Sequence, residues 1–130
     1  MKRKCDVFTC TDYFKGEKLL EINGNFYISK RAIVEDLIVD GDLIVECSLV
    51  AKNVYVTGDV IVNDSISAEQ IHVIGDMYVN RNLKVDDLYV AGNVNAYAMS
   101  VHYGTVWIGG RLLVNLLNGG IQEFEVADLL

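Results

Sequence analysis

The chain has 130 residues, 52% of them apolar and 22% charged, with no proline and a net charge of −7. That length fits one domain. The acidic body repels phosphate and disfavours nucleic-acid binding, and no apolar run is long enough to span a membrane.

Residues 1–19, "MKRKCDVFTCTDYFKGEKL", carry five Lys/Arg against three Asp/Glu and mix polar with apolar positions. They lack the apolar stretch of a secretory signal and read as an N-terminal cap segment. The three cysteines, Cys5, Cys10 and Cys47, are odd in number and unevenly spread. A disulfide framework is therefore not expected, and a reducing cytoplasm is. The Cys5-x4-Cys10 pair is at most half of a zinc site and has no ligand-spaced histidine. No metal and no cofactor is expected.

From Leu20 the chain repeats. Gly24, Gly41, Gly58, Gly75 and Gly92 are each 17 residues apart, and Gly110 follows at 18. The pattern places the extra residue between Ala96 and Val101. With the glycine as position 5, six copies begin at Leu20, Leu37, Val54, Ile71, Leu88 and Val106. Positions 1, 3, 7 and 9 are apolar in all six copies and positions 13 and 15 in the first five, the sixth copy being truncated. Position 7, for example, reads Phe26, Leu43, Val60, Met77, Val94 and Leu112, and in the fifth copy positions 13 and 15 fall on Val101 and Tyr103. The pairs 1/3, 7/9 and 13/15 each skip one residue, which is the period of a strand and not of a helix. Val and Ile dominate them, as strands prefer. Each copy is then three short strands joined by three corners, a triangular coil that buries its inner face only by stacking on its neighbours. The predicted fold is all-β: a single-stranded parallel β-helix (β-solenoid) of about six 17-residue coils over residues 20–114, with irregular terminal caps. The column glycine fits a corner that needs positive φ or close backbone packing.

Residues 115–130, "NLLNGGIQEFEVADLL", lose the register after Val114. Asn118-Gly119-Gly120 reads as a turn that returns a strand or short helix over the last coil. The segment is expected to be a C-terminal cap or a docking segment.

Three outward rows are candidates for function. The residue after each glycine reads Asn25, Asp42, Asp59, Asp76, Asn93, Arg111. A calcium ladder is one reading of that row, and Asx capping of the turn's own backbone N–H groups is the plainer one. Position 2 reads Glu21, Ile38, Tyr55, His72, Tyr89, Trp107, a stacked aromatic stripe. Position 8, on the next face, reads Tyr27, Ile44, Ile61, Tyr78, Asn95, Leu113. Two adjacent faces are thus largely apolar outside as well as inside, and large exposed apolar patches commonly mark contact surfaces. Ladders that only strengthen strand pairing, or faces covered by the chain's own ends, are the other readings. The expected partner-binding residues are Ile38, Tyr55, His72, Tyr89 and Trp107, then Tyr27, Ile44, Ile61 and Tyr78. The third outer row (Ile33, Val50, Ser67, Lys84, His102) is mixed. No Ser-His-Asp or Cys-His constellation assembles, so no catalytic residue is assigned.

The units "V-x-G-D-[LVM]-x-V" at Val39–Val45, Val56–Val62 and Val73–Val79, with weaker copies at Ile22–Ile28 and Val90–Ala96, resemble the bactofilin-type, polymer-forming β-solenoids of bacteria. The resemblance covers roughly residues 20–114. It implies a right-handed triangular β-helix, no enzymatic activity, and end-to-end assembly into cytoskeletal filaments. Left-handed hexapeptide acyltransferases share the six-residue spacing of positions 1, 7 and 13. They place a small residue two before the buried aliphatic, where this chain has Asp64 before Ile66 and Arg81 before Leu83.

The leading expectation is a non-enzymatic scaffold acting through protein–protein contacts of its outer faces. Its partner is another protein or a second copy of the chain in a homo-oligomer. The alternative is a small acidic binding protein, such as an immunity protein that neutralises a basic toxin, and the third reading is a hexapeptide-like acyltransferase with His72 or His102 at a subunit cleft of a trimer.

Overall fold

The computed structural model describes residues 7–10, 14–120 and 123–129. Cys5, one half of the cysteine pair considered above, lies outside them, as does the start of the N-terminal segment. No helix occurs among the described residues. The strands, in chain order, are β1 (Val7–Cys10), β2 (Phe14–Asn23), β3 (Asn25–Ile28), β4 (Ala32–Asp40), β5 (Leu43–Val45), β6 (Leu49–Val50), β7 (Asn53–Val56), β8 (Val60–Val62), β9 (Ile66–Val73), β10 (Met77–Val90), β11 (Val94–Val101), β12 (Thr105–Gly119) and β13 (Glu123–Leu129).

All their pairings are parallel, and they fall into three stacks. One stack aligns Leu20, Leu37, Val54, Ile71, Leu88 and Val106. A second aligns Phe26, Leu43, Val60, Met77, Val94 and Leu112. The third aligns Ala32, Leu49, Ile66, Leu83, Met99 and Leu117. This is a β-solenoid of about six turns with 17-residue spacing. The strand period sends alternate side chains inward. The inward columns form one continuous core in which Leu20, Ile22, Phe26, Val60 and Val73 are fully inaccessible. No polar or charged side chain is buried among the described residues. Each fully buried Val, Leu or Phe contributes about 1.5–3 kcal/mol, so a dry interior needs no polar network to be stable.

Glycine and its acidic successor are geometrically coupled at the corners. A Cβ on Gly58 would run into Asp42 Oδ1 and lie 2.6 Å from the carbonyl oxygen of Gly41, and Gly75 meets Asp59 and Gly58 in the same way. The missing side chain leaves space for the carboxylate. Asp42 Oδ1 then accepts the backbone N–H of Asp59 at 2.8 Å, Asp59 that of Asp76 at 2.8 Å, and Asp76 that of Asn93 at 2.8 Å. The Asx row therefore caps backbone, but the N–H of the next coil and not that of its own turn. Asn25 and Asn93 serve equally well, their Oδ1 atoms accepting the backbone N–H of Asp42 at 2.9 Å and of Arg111 at 2.8 Å.

The fifth coil departs from the expected register. Leu83 aligns with Met99 and Val85 with Val101, while Val79 still aligns with Ala96. That coil is one residue short at the corner after Ala96 and two residues long at the corner between Val101 and Val106. The inward pair is Met99 and Val101, both buried, and not Val101 and Tyr103. Tyr103 stands in the wide corner, 70% exposed, at φ 53. A phenol placed inward would bring a hydroxyl into a core that offers it no partner, and Met fills the position without that cost. The same shift puts Ser100, not His102, beside Lys84 in the third outer row. His102 sits at the corner with Nδ1 3.7 Å from Asp86 Oδ1. Val114 is half-buried against the core.

Both flanking segments are wound into the stack where they are described. β1 pairs in parallel with β3, and the first half of β2 with β4. Past Val114, β12 continues to Gly119 over β11, and β13 lies parallel on β12 with Phe124 aligned on Val106. β13 thus advances as part of a further coil and does not return across the last one.

Candidate functional site

On the face formed by the first strand stack, the outward side chains make two parallel rows. The inner columns beneath them set the spacing, since each coil places its residue directly over the one below. The first row aligns Ile38, Tyr55, His72, Tyr89 and Trp107. Tyr55 and His72 meet edge to face with ring centroids 4.8 Å apart, and His72 and Tyr89 do the same at 4.4 Å. Tyr89 and Trp107 stack at 4.4 Å with an 8° interplanar angle. Pairs of this kind contribute about 0.5–1.5 kcal/mol beyond area burial. Tyr55 and Tyr89 nevertheless remain 40% and 39% exposed, so the stripe is open to solvent. Glu21 and Glu125 stand at its two ends, aligned on Ile38 and Trp107.

The second row was not anticipated. It is the last position of each coil: Asp36, Asn53, Gln70, Asp87 and Thr105. Together the rows wall a groove of about 680 Å³ whose floor is Leu37, Val54, Ile71 and Leu88. Asn53 Nδ2 donates to Asp36 Oδ1 at 2.7 Å, and the Thr105 N–H donates to Asp87 Oδ1 at 2.9 Å. These bonds fix the carboxylates on the groove wall. Among the lining residues there is no Lys or Arg. The signal was present in the sequence, because that column is polar from Asp36 to Thr105 and directly precedes an aromatic column. Read singly, each residue passes for a solvated corner.

The remaining anticipated residues occupy the adjacent face. Tyr27, Ile44, Ile61 and Tyr78 align in one row. Tyr27 and Ile44 are half-buried, while Ile61 and Tyr78 are 45% and 46% exposed. The Tyr27 hydroxyl donates to Glu46, and that bond, burial and the carboxylate's charge all raise its pKa above 10.0. The Gly-Asx corner separates the two faces, so the structure makes two surfaces of them and not one site. Among the described residues no three His, Cys, Asp or Glu converge as a metal site would require.

Compared with models of known protein families, with characterised proteins and with solved structures, the chain matches none of them.

Proposed function

We propose that the chain is a non-enzymatic scaffold that acts through protein–protein contacts of its outer faces, including self-assembly of the bactofilin-like, polymer-forming kind in a bacterial cytoplasm. The observation that carries this reading is the exposure of two adjacent, registered apolar rows, with Tyr55 and Tyr89 on one and Ile61 and Tyr78 on the other. The inner columns bury each coil's inner face, and the outer rings, although they stabilise one another in pairs, keep exposed apolar surface suited to contact. The groove lining offers no Ser, Cys or Lys nucleophile beside His72, which favours binding over covalent catalysis.

Light scattering over a concentration series tests it. The particle mass of the wild type is expected to exceed the 14.5 kDa of one chain and to climb with concentration. Tyr55→Ser/Tyr89→Ser or Ile61→Ser/Tyr78→Ser should return it to 14.5 kDa with an unchanged β spectrum. A wild type fixed at that mass throughout would sink self-assembly.

A second reading, a small acidic protein that captures a basic partner, is favoured by one specific feature. The groove wall carries Asp36 and Asp87 and no basic residue.

A further inference from the structure

We infer that the groove is built to hold an extended basic segment of a partner protein, with two cationic side chains four residues apart. This rests on the outer-face reading above and gives one of those faces its partner.

The chemistry of the groove is one-sided. Its wall offers the half-buried carboxylates Asp36 and Asp87, the amides Asn53 and Gln70 between them, and the π systems of Tyr55, His72, Tyr89 and Trp107 opposite. All of these receive cations or N–H donors well. Carboxylates pair with guanidinium and ammonium groups, and aromatic rings attract them as well, Trp most strongly. The surrounding body adds to the field, since residues 37–105 hold nine Asp/Glu against three Lys/Arg. Laid groove on groove, a second copy of this chain would set like charges together, so self-association through the Tyr55–Tyr89 row has to use a different face of that copy, and the carboxylate wall itself favours a basic partner.

Register supplies the spacing. Asp36 aligns with Asn53, Asn53 with Gln70, and Gln70 with Asp87, so three inter-coil steps separate the carboxylates. Three steps of about 4.8 Å make about 14 Å. An extended chain advances about 3.4 Å per residue and presents alternate side chains to one face, so residues i and i+4 match that separation on the same side. A segment laid along the solenoid axis would set one Arg or Lys on each Asp. Its middle residue would face the Asn53 and Gln70 amides and the Tyr55–His72 pair.

Trp107 is the only tryptophan of the chain and lines the groove, so its emission reports occupancy directly. The probe is a synthetic Ser/Thr/Val peptide with two arginines four positions apart. Its controls carry glutamates at those positions, or the arginines two positions apart. The expected result is a saturable emission change with the first peptide and binding at least about tenfold weaker with either control. Asp36→Asn and Asp87→Asn keep the Oδ1 acceptors that hold Asn53 and Thr105 and should fold as the parent does. Each should weaken binding about fivefold. Affinity should also fall as salt shortens the Debye length from about 10 Å to about 3 Å. Equal binding of the glutamate peptide, indifference to arginine spacing, or an unchanged affinity in the Asp36→Asn/Asp87→Asn double variant would each overturn the inference. A wild type that self-associates yet gives no response to the arginine peptide overturns this inference and leaves the outer-face reading standing. A chain that neither associates nor binds overturns both.

Discussion

Leu88 and Tyr89 are consecutive residues of β10, and the pleat sends them to opposite sides of one wall. Leu88 lies in the dry interior with 2% of its surface accessible, stacked between Ile71 and Val106. Tyr89 lies outside, 39% exposed, stacked between His72 and Trp107. Both columns are apolar and both are in perfect register, yet they answer to different demands. Without the inner column no coil has anywhere to bury its face. Without the outer column the coils would still close, because the backbone ladder and the core remain. The repeat thus provides two ordered apolar surfaces, only one of which folding buries.

Substitutions can break this contrast directly. The largest loss is expected inside: Phe26→Ala and Leu88→Ala should each cost about 2–5 kcal/mol in denaturant unfolding, because the neighbouring coils hold the cavity open. Next comes the corner. Gly58→Ala should cost about 1–3 kcal/mol, since its methyl would strike Asp42 and the Gly41 carbonyl. Asp59→Ala should follow at about 1 kcal/mol, through loss of the bond from the Asp76 N–H. Asp59→Asn should be nearly neutral by the same measurement, because Asn25 and Asn93 already fill that role in the row.

The smallest effect is electrostatic and lies on the second outer face. Tyr27 should ionise above 10.0, because Glu46 accepts its hydroxyl proton and opposes the phenolate. The raised folded value means that this interaction stabilises the fold fully below the ordinary phenol pKa and is lost as pH rises through the raised one. Glu46→Gln should bring the Tyr27 midpoint down, read as the phenolate absorbance difference against Tyr27→Phe.

How much of this was legible in the sequence follows from the same inner–outer contrast. The inner columns could be read because a dry core tolerates no exceptions, and Leu43, Val60 and Met77 are indeed vertical neighbours. The fifth coil could not be read as safely. Met99/Val101 and Val101/Tyr103 both alternate, and only the cost of an unpartnered phenol inside separates them. The end of the chain misled for a related reason. Leu116 and Leu117 break the inside–outside alternation, although β12 simply continues over β11 and leaves both residues exposed. The aromatic row was visible, but the groove was not. Asp36, Asn53, Gln70 and Asp87 acquire meaning only when the coils set them beside that row.

The Tyr55→Ser chain tests the division of labour most directly, when its denaturant unfolding is measured beside that of Leu88→Ala. The expected result is a chain that keeps its β spectrum and loses about 0.5–1.5 kcal/mol with the one Tyr55–His72 ring pair, against about 2–5 kcal/mol for Leu88→Ala. Unfolding as severe as that of the core variant would contradict it, for the outer stripe would then be part of what holds the coils together.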